Sequence, residues 1–486
     1  MSEPREQVVI TRAGNLIGVC PTCEEILKHE LTYLHRSFRQ VMGETFIDKE
    51  WMRLYNIDDK QRLVAPAGLL TRITRLFRDR NIEYRIDDLR SRRIPEPVIT
   101  NIDVDGLRPG QAETMAAIFT HDMGQIDGAT GFGKTWIITQ VCRAYPTCNI
   151  IICAQQSNVV NSIVDKLSKI CPGEVGQIGG GRKIRQDARI IVSTARSLEK
   201  APMERCDIFL YDEVHTAAAP CTSSAIARIR YARMFGFSAT TDGRFDGAEL
   251  RTEALFGPVI VRTTYQDCVE AKTVAPIKVL MIPVPGLDLT TTTRSQVTKK
   301  RLCYWQNDAR NQIIAAVAHM FPPEMQVLIM ADAVEHIYRI GHYLQEYTLV
   351  YNTLQPKVER RLRAEGLLRK HPPMTHDRLQ MYRRLFEKQK LKKVISSSIW
   401  GTGVDFTGLQ VLIRADGAGG KIPSTQVPGR LSRLHDGKEY GILVDFTDAF
   451  DSWSLRRARS RARIYKSHGW DIHLVESSGG IERWLK

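Results

Sequence analysis

"DGATGFGKTWII", residues 127–138, joins the short run GQID to the helix-like TWIITQVCRAY through three glycines and a lysine. Gly128, Ala129, Thr130, Gly131, Phe132, Gly133, Lys134 and Thr135 fit G-x-x-x-x-G-K-[ST], a strand–loop–helix bend built to cradle phosphate. Glycines let successive backbone N–H groups turn inward as an anion nest, and the following helix adds partial positive charge at its N-terminus. Lys134 is placed to neutralise the β and γ oxygens of a nucleotide, and Thr135 to hold Mg²⁺.

Outward from this bend the hydrophobic period alternates. CNIIICA, ARIIVST, CDIFLYDE and RMFGFSAT are short apolar runs ending in small or polar residues, with helical patterns between them. Such alternation predicts a parallel sheet covered by helices on both faces. A second set follows in IKVLMIPV, MQVLIMA, YTLVYN, KKVISSS, LQVLIRA and YGILVDF, and the polar, Thr-rich and then basic stretch 285–301 reads as a linker or exposed loop. Residues 1–105 mix amphipathic segments with Arg-rich pieces. The expected fold is therefore α/β: two doubly wound parallel-sheet lobes, 106–280 and 281–486, preceded by a small α+β accessory domain, 1–105.

A phosphate loop needs a carboxylate at a neighbouring strand end. IFLYDEVH supplies Asp212 and Glu213 at the close of an apolar run. Asp212 is expected to position the metal ion, Glu213 to orient and deprotonate an attacking water, and His215 to couple that chemistry to the next lobe.

Composition bounds the partners. The chain has 486 residues, 43% hydrophobic and 25% charged, which suits a soluble globular protein with more than one core. Its formal charge of +15 favours a polyanionic partner. The first residues lack a secretory pattern and no run is long enough to span a membrane, so a cytoplasmic location without a membrane partner is expected. Ten cysteines are too dilute for a disulfide scaffold. Cys20 and Cys23 have metal-ligand spacing, with His29 and His35 following; a strand, a turn and a helix is the alternative reading.

GATGFGKT together with DEVH resembles superfamily 2 helicases of the DExH type. LRPGQAE (107–113) resembles the adenine-reading segment of that family, which implies Arg108 and Gln111 at the base. GFSATTDGRFDG resembles motif III and its extension, implying that Ser238 and Thr240 link hydrolysis to movement. WGTGVDF (400–406) resembles motif V, with Gly403 and Asp405, and QVPGRLSRLHDGK (426–438) resembles motif VI, with Gln426, Arg430 and Arg433. Arg430 and Arg433, three apart, are expected on one helix face as arginine fingers. The resemblance also assigns Ser193 and Thr194 of IVSTARSL to nucleic-acid phosphates, joined by Arg182 of QIGGGRK.

Over its whole length the chain is similar to bacteriophage UvsW-type helicases. That resemblance implies two tandem RecA-like lobes, ATP and Mg²⁺ as cofactors, and branched or forked DNA as the partner. It further implies a motor serving recombination, replication or repair, in the host cytoplasm if phage-encoded; the sequence leaves the oligomeric state open, with a monomer favoured. An RNA helicase, or a static DNA-binding scaffold with an ATP-dependent latch, are the alternatives. In the basic stretch SLRRARSRARIYK, Leu455, Ala458, Ala462 and Tyr465 form one helical stripe and Arg456, Arg459 and Arg463 the opposite side.

Overall fold

The computed structural model describes residues 7–41, 44–90, 94–239, 246–286, 295–368, 374–400, 406–420, 424–425 and 427–475. The chain forms two compact units, Met1–Ser37 with Ile47–Thr264, and Phe38–Phe46 with Tyr265–Lys486.

In the first unit, β1 (Val8–Ala13) and β2 (Leu16–Cys20) form a hairpin. Gly14 at its turn has φ 67°, and a Cβ there would lie 2.0 Å from the Arg230 carbonyl, so only glycine fits. A second hairpin, β3 (Thr32–Val41) and β4 (Glu44–Arg53), forms its own two-stranded sheet, of which residues 32–37 and 47–53 belong to this unit. Strands β5 (Asn56–Ile57), β6 (Leu63–Pro66) and β7 (Tyr84–Asp88) complete the first sheet in the order β5-β6-β2-β1-β7. Helix α1 (Leu70–Asp79) buries Ile73, Thr74 and Phe77 at spacings of one and three and leaves Arg75 and Arg78 outside.

The large sheet of this unit contains β8 (Met123–Gly128), β9 (Ile150–Ala154), β10 (Val175–Gly179), β11 (Arg182–Ile184), β12 (Ile190–Thr194), β13 (Ile208–Asp212), β14 (Arg233–Ser238) and β15 (Val259–Thr263). Its order is β11-β10-β12-β9-β13-β14-β8-β15, all neighbours parallel except β10 with β11. Both faces are covered. Ile150, Ile152, Ile208 and Leu210 pack in one core with helices α2 (Gln111–Thr120) and α3 (Lys134–Ala144), while Ile151, Cys153, Phe209 and Tyr211 face the other. That second core also contains Val8, Ile10, Ile17, Ile73 and Phe77. The N-terminal segment thus shares a core with the large sheet, tied further by Arg72–Glu253 at 2.7 Å and by Arg12 and Arg90 on Asp122 at 3.0 and 2.6 Å.

The second unit holds a seven-stranded, wholly parallel sheet: β16 (Ile277–Val284), β17 (Val327–Met330), β18 (Thr348–Val350), β19 (Lys393–Ser396), β20 (Val411–Arg414), β21 (Gly441–Asp448) and β22 (Asp471–Leu474), in the order β18-β19-β17-β20-β21-β16-β22. Every apolar run named from the sequence is one of these strands; β16 begins at Ile277, so the boundary read at 280 falls inside it. Helix α4 (Ser452–Ser467) opens with a capping box in which Asp451 accepts from the Ser454 N–H at 2.7 Å. Its buried stripe is Ser454, Ala458, Arg461 and Tyr465, with Arg456, Arg459 and Arg463 outside. Arg461 is the surprise. It donates to Asp445 at 2.7 Å, both fully buried, beside Arg310–Asp448 at 2.8 Å, also fully buried. Burial alone would raise the Asp445 carboxyl, but the Arg461 and Arg414 guanidinium groups outweigh it and hold it below the ordinary value.

Among the described residues no helix is long and apolar enough to cross a membrane. All ten cysteines are unbridged, seven of them buried, and among the described residues no group of three or more His, Cys, Asp or Glu gathers as a metal site.

Candidate nucleotide site

Register brings the site together. β14 lies between β8 and β13, with Asp212 opposite Phe237 and Ser238 opposite Asp127. Three parallel strands therefore end in one row, and the residues at and just after those ends, Gly128 to Thr135, Asp212, Glu213 and Ser238, share the carboxyl edge.

The loop after β8 turns on Gly131 and Gly133, both at φ 94°, a conformation that side chains avoid. A Cβ on Gly128 would lie 2.6 Å from the Phe132 ring, which is fully buried and pins the loop to the core. Ala129 donates to the Thr263 carbonyl at 3.2 Å, and Phe132 to the Ala129 carbonyl at 3.0 Å. Lys134 opens α3 and curls back, its Nζ 3.4 Å from the Gly128 carbonyl; Thr130 and Thr135 are half-buried.

Arg108 and Gln111 meet this loop in a way the sequence did not suggest. Gln111, almost fully buried, donates from Nε2 to the Phe132 carbonyl at 2.8 Å and accepts at Oε1 from the Arg108 N–H at 2.9 Å. Arg108 donates from Nη1 to the Gly131 carbonyl at 2.5 Å. Each end of the Gln111 amide has a partner here, so the pair braces the loop.

Asp212 and Glu213 differ in environment. Asp212 Oδ1 is enclosed without a hydrogen-bond partner. Burial, then the Glu213 charge, push its carboxyl up to about 7 against the pull of Lys134. An orphaned carboxylate oxygen beside a phosphate loop is the donor a hard divalent cation takes, so Asp212 and the Thr135 hydroxyl fit Mg²⁺. Glu213 sits in the left-handed region at φ 60°, strain of a kind that gathers at functional sites. Its Oε2 is 3.4 Å from both His215 Nδ1 and Ser238 Oγ, and the latter two are 3.0 Å apart. Glu213, His215 and Ser238 thus form a closed triangle joining the ends of β13 and β14.

The expected phosphate contacts divide. Ser193 is fully buried and its hydroxyl donates to the Thr194 carbonyl at 3.0 Å; Thr194 is nearly as enclosed. Such hydroxyls do not present themselves to a polyanion, which corrects the direct contact read for Ser193. Arg182, on the edge strand β11, is exposed and pairs with Asp165 at 3.0 Å.

In the second unit Arg430 lies in a short 3₁₀ turn, Pro428–Ser432, and Arg433 follows it in extended backbone. The two do not share an α-helical face as the three-residue spacing predicted, because Pro428 opens a turn too short to include Arg433. Arg430 is buried and donates to the Trp400 carbonyl at 2.6 Å. Lys438 bonds the Leu409 and Arg433 carbonyls at 2.6 and 3.1 Å, with burial, then Arg433, lowering its amine to about 8. Thr240, Gly403, Asp405 and Gln426 lie outside the described residues. Sequence reasoning missed Arg310, Arg414 and Arg461. The signal was two aspartates, Asp445 and Asp448, inside the apolar run of β21, since carboxylates buried in a strand demand cations.

Two doubly wound sheets, the first ending in a phosphate loop beside a DEVH strand end, are a fold that the chain shares with solved structures it resembles. The family described as "Type III restriction enzyme, res subunit" matches residues 105–243. Probable helicase D10 of Escherichia phage T5 is 25% identical over 353 residues, 71% of this chain and 72% of its own. DNA 3'-5' translocase XPB2 of Sulfurisphaera tokodaii is 21% identical over 425 residues, 83% and 94% of the two chains. Among solved structures, a putative HsdR subunit fragment of a type I restriction enzyme from Vibrio vulnificus YJ016 has TM-score 0.57 at 14% identity, covering 91% of this chain and 80% of that one. The crystal structure of T4 UvsW has TM-score 0.42 at 16% identity over 96% and 99%.

Proposed function

We propose that the chain is an ATP-dependent DNA helicase or translocase that remodels branched or forked DNA. The observation that carries this reading is the single row in which the phosphate loop, Asp212, and the Glu213–His215–Ser238 triangle end three adjoining strands. The name of the S. tokodaii relative, a DNA translocase, and the charge of +15 favour DNA.

In this reading Lys134 and the loop N–H groups bind the triphosphate. Mg²⁺ held by Thr135 and Asp212 supplies charge neutralisation at the β and γ oxygens. Glu213 accepts the proton of the attacking water, and Arg430 and Arg433 act on the γ-phosphate as arginine fingers with Gln426. Arg108 and Gln111 keep the loop in shape beneath the nucleotide. His215 passes the state of Glu213 to Ser238, and thence through Thr240, Gly403 and Asp405 to strand movement. Arg182 serves the DNA face.

The test is ATP hydrolysis with and without single-stranded, duplex, forked and four-way DNA, and with structured RNA, comparing the wild type with Lys134→Ala. DNA-stimulated turnover abolished by Lys134→Ala is expected. Equal stimulation by RNA would favour the RNA helicase, and negligible turnover with firm DNA binding would favour a static scaffold.

A further inference from the structure

The hairpin β3–β4 contributes nothing to the nucleotide site, yet it carries the most exposed aromatic side chain among the described residues of the first unit. Trp51 is 69% exposed and Ile47 50% exposed. Side chains alternate along a strand, and the inner side of this hairpin is fixed by its packing. Tyr33 of β3 forms a small core with Ala218 and Ala248, against which Met52 of β4 also packs. With Tyr33 and Met52 turned inward, Arg36 of β3 and Ile47, Lys49, Trp51 and Arg53 of β4 face outward, and Arg36, Lys49 and Arg53 are all exposed. Glu50 lies on the opposite parity. One face of a two-stranded ribbon thus reads apolar, cation, aromatic, cation along β4, with a further cation on β3.

That alternation selects the partner. The centre of a protein–protein interface is depleted of lysine, whereas unpaired nucleic acid is held by aromatic platforms set among cations, the rings taking bases and the charges taking phosphates. We infer that the outer face of β3–β4 is a stacking platform for unpaired DNA bases, Trp51 receiving a base and Arg36, Lys49 and Arg53 the flanking backbone. This rests on the proposed action on DNA and adds to it where single-stranded character is sensed. Duplex DNA, its bases already stacked, gains little from such a face; forks and single strands gain most.

The experiment uses the full chain, with Trp51→Ala and Trp51→Phe, and measures binding of fluorescein-labelled single-stranded, blunt-duplex and forked oligonucleotides, alongside ATP hydrolysis at saturating duplex. Trp51→Ala should weaken single-strand and fork binding about tenfold, the scale of one lost base–aromatic stack. Duplex affinity and duplex-stimulated hydrolysis should stay within about twofold, and Trp51→Phe should restore most of the loss. The side chain is exposed, so an unchanged melting profile is expected. Wild-type affinity of Trp51→Ala for all three probes overturns the proposal. So does equal weakening on all three, and so does a wild-type dimer that Trp51→Ala dissociates, which would make the face a contact between copies. Binding decides the platform and hydrolysis decides the motor: a wild type without DNA-stimulated turnover sinks the proposed function and leaves the stacking comparison readable.

Discussion

Asp212 and Glu213 are adjacent in the chain and unlike in surroundings, one carboxylate oxygen orphaned and enclosed, the other carboxylate joined to a histidine and a serine. The split gives each its own test. Glu213→Gln keeps size and loses basicity, so turnover should fall about 10²- to 10⁴-fold while nucleotide binding, followed by a fluorescent ATP analogue, persists. His215→Ala removes the middle of the triangle and should leave much of the ATPase rate but depress fork unwinding; equal loss of both would make His215 part of the hydrolytic step. Arg430→Ala should lower turnover with nucleotide affinity retained. Lys134, Asp212 and Glu213 were legible from sequence because their signature is local: a glycine-rich bend, or two acids closing an apolar strand. The Gln111 bracing was not, since its carbonyl partner lies 21 residues away in a loop whose curvature only the folded chain defines. Ser193 misled for the opposite reason, as a hydroxyl at a strand end reads the same whether it faces solvent or its own backbone.

At the scale of elements, the parallel strands were readable because burial on both faces makes them continuously apolar. Strands β10, β11, β15 and β22 escaped: β10 is interrupted by Gly176, Gln177 and Gly179, β11 is only three residues long, β15 ends in Arg262 and Thr263, and β22 contains Asp471 and His473. In α4 the proposed stripe was one position off at two of its four places, since the buried residues there, Ser454 and Arg461, are polar; the carboxylate partner of Arg461 stands 16 residues earlier in β21. Hydrophobic periodicity cannot mark a buried cation, whose signal is electrostatic. The consequence is measurable. Arg310→Met leaves buried Asp448 only the Arg461 guanidinium at 3.8 Å and should cost up to about 3–5 kcal/mol of the second unit's stability, seen as an earlier denaturant midpoint. Arg310→Met combined with Asp448→Leu should lose less than Arg310→Met alone, since no uncompensated charge from that pair remains.

For the molecule as a whole, the excess of 15 positive charges sets the expected response to salt. If phosphate neutralisation dominates DNA affinity, log K should fall linearly with log salt, by about 0.9 per phosphate contacted on duplex; a flat response would assign binding to other forces. The accessory segment was read as a separate domain, and its helix α1 and Arg-rich composition were visible, but its sharing of a core with the large sheet was not, because that contact is made by residues far apart in sequence. Distance along the chain matters most for Arg310, which lies 138 residues before the aspartate that receives it. During synthesis from the amino end, this guanidinium leaves the ribosome long before Asp448 exists. Water must hold it until then. The earlier strands of the second sheet are free to align as they emerge, yet the interior around Arg310 seals only after β21 arrives, making that strand the latch on the whole unit.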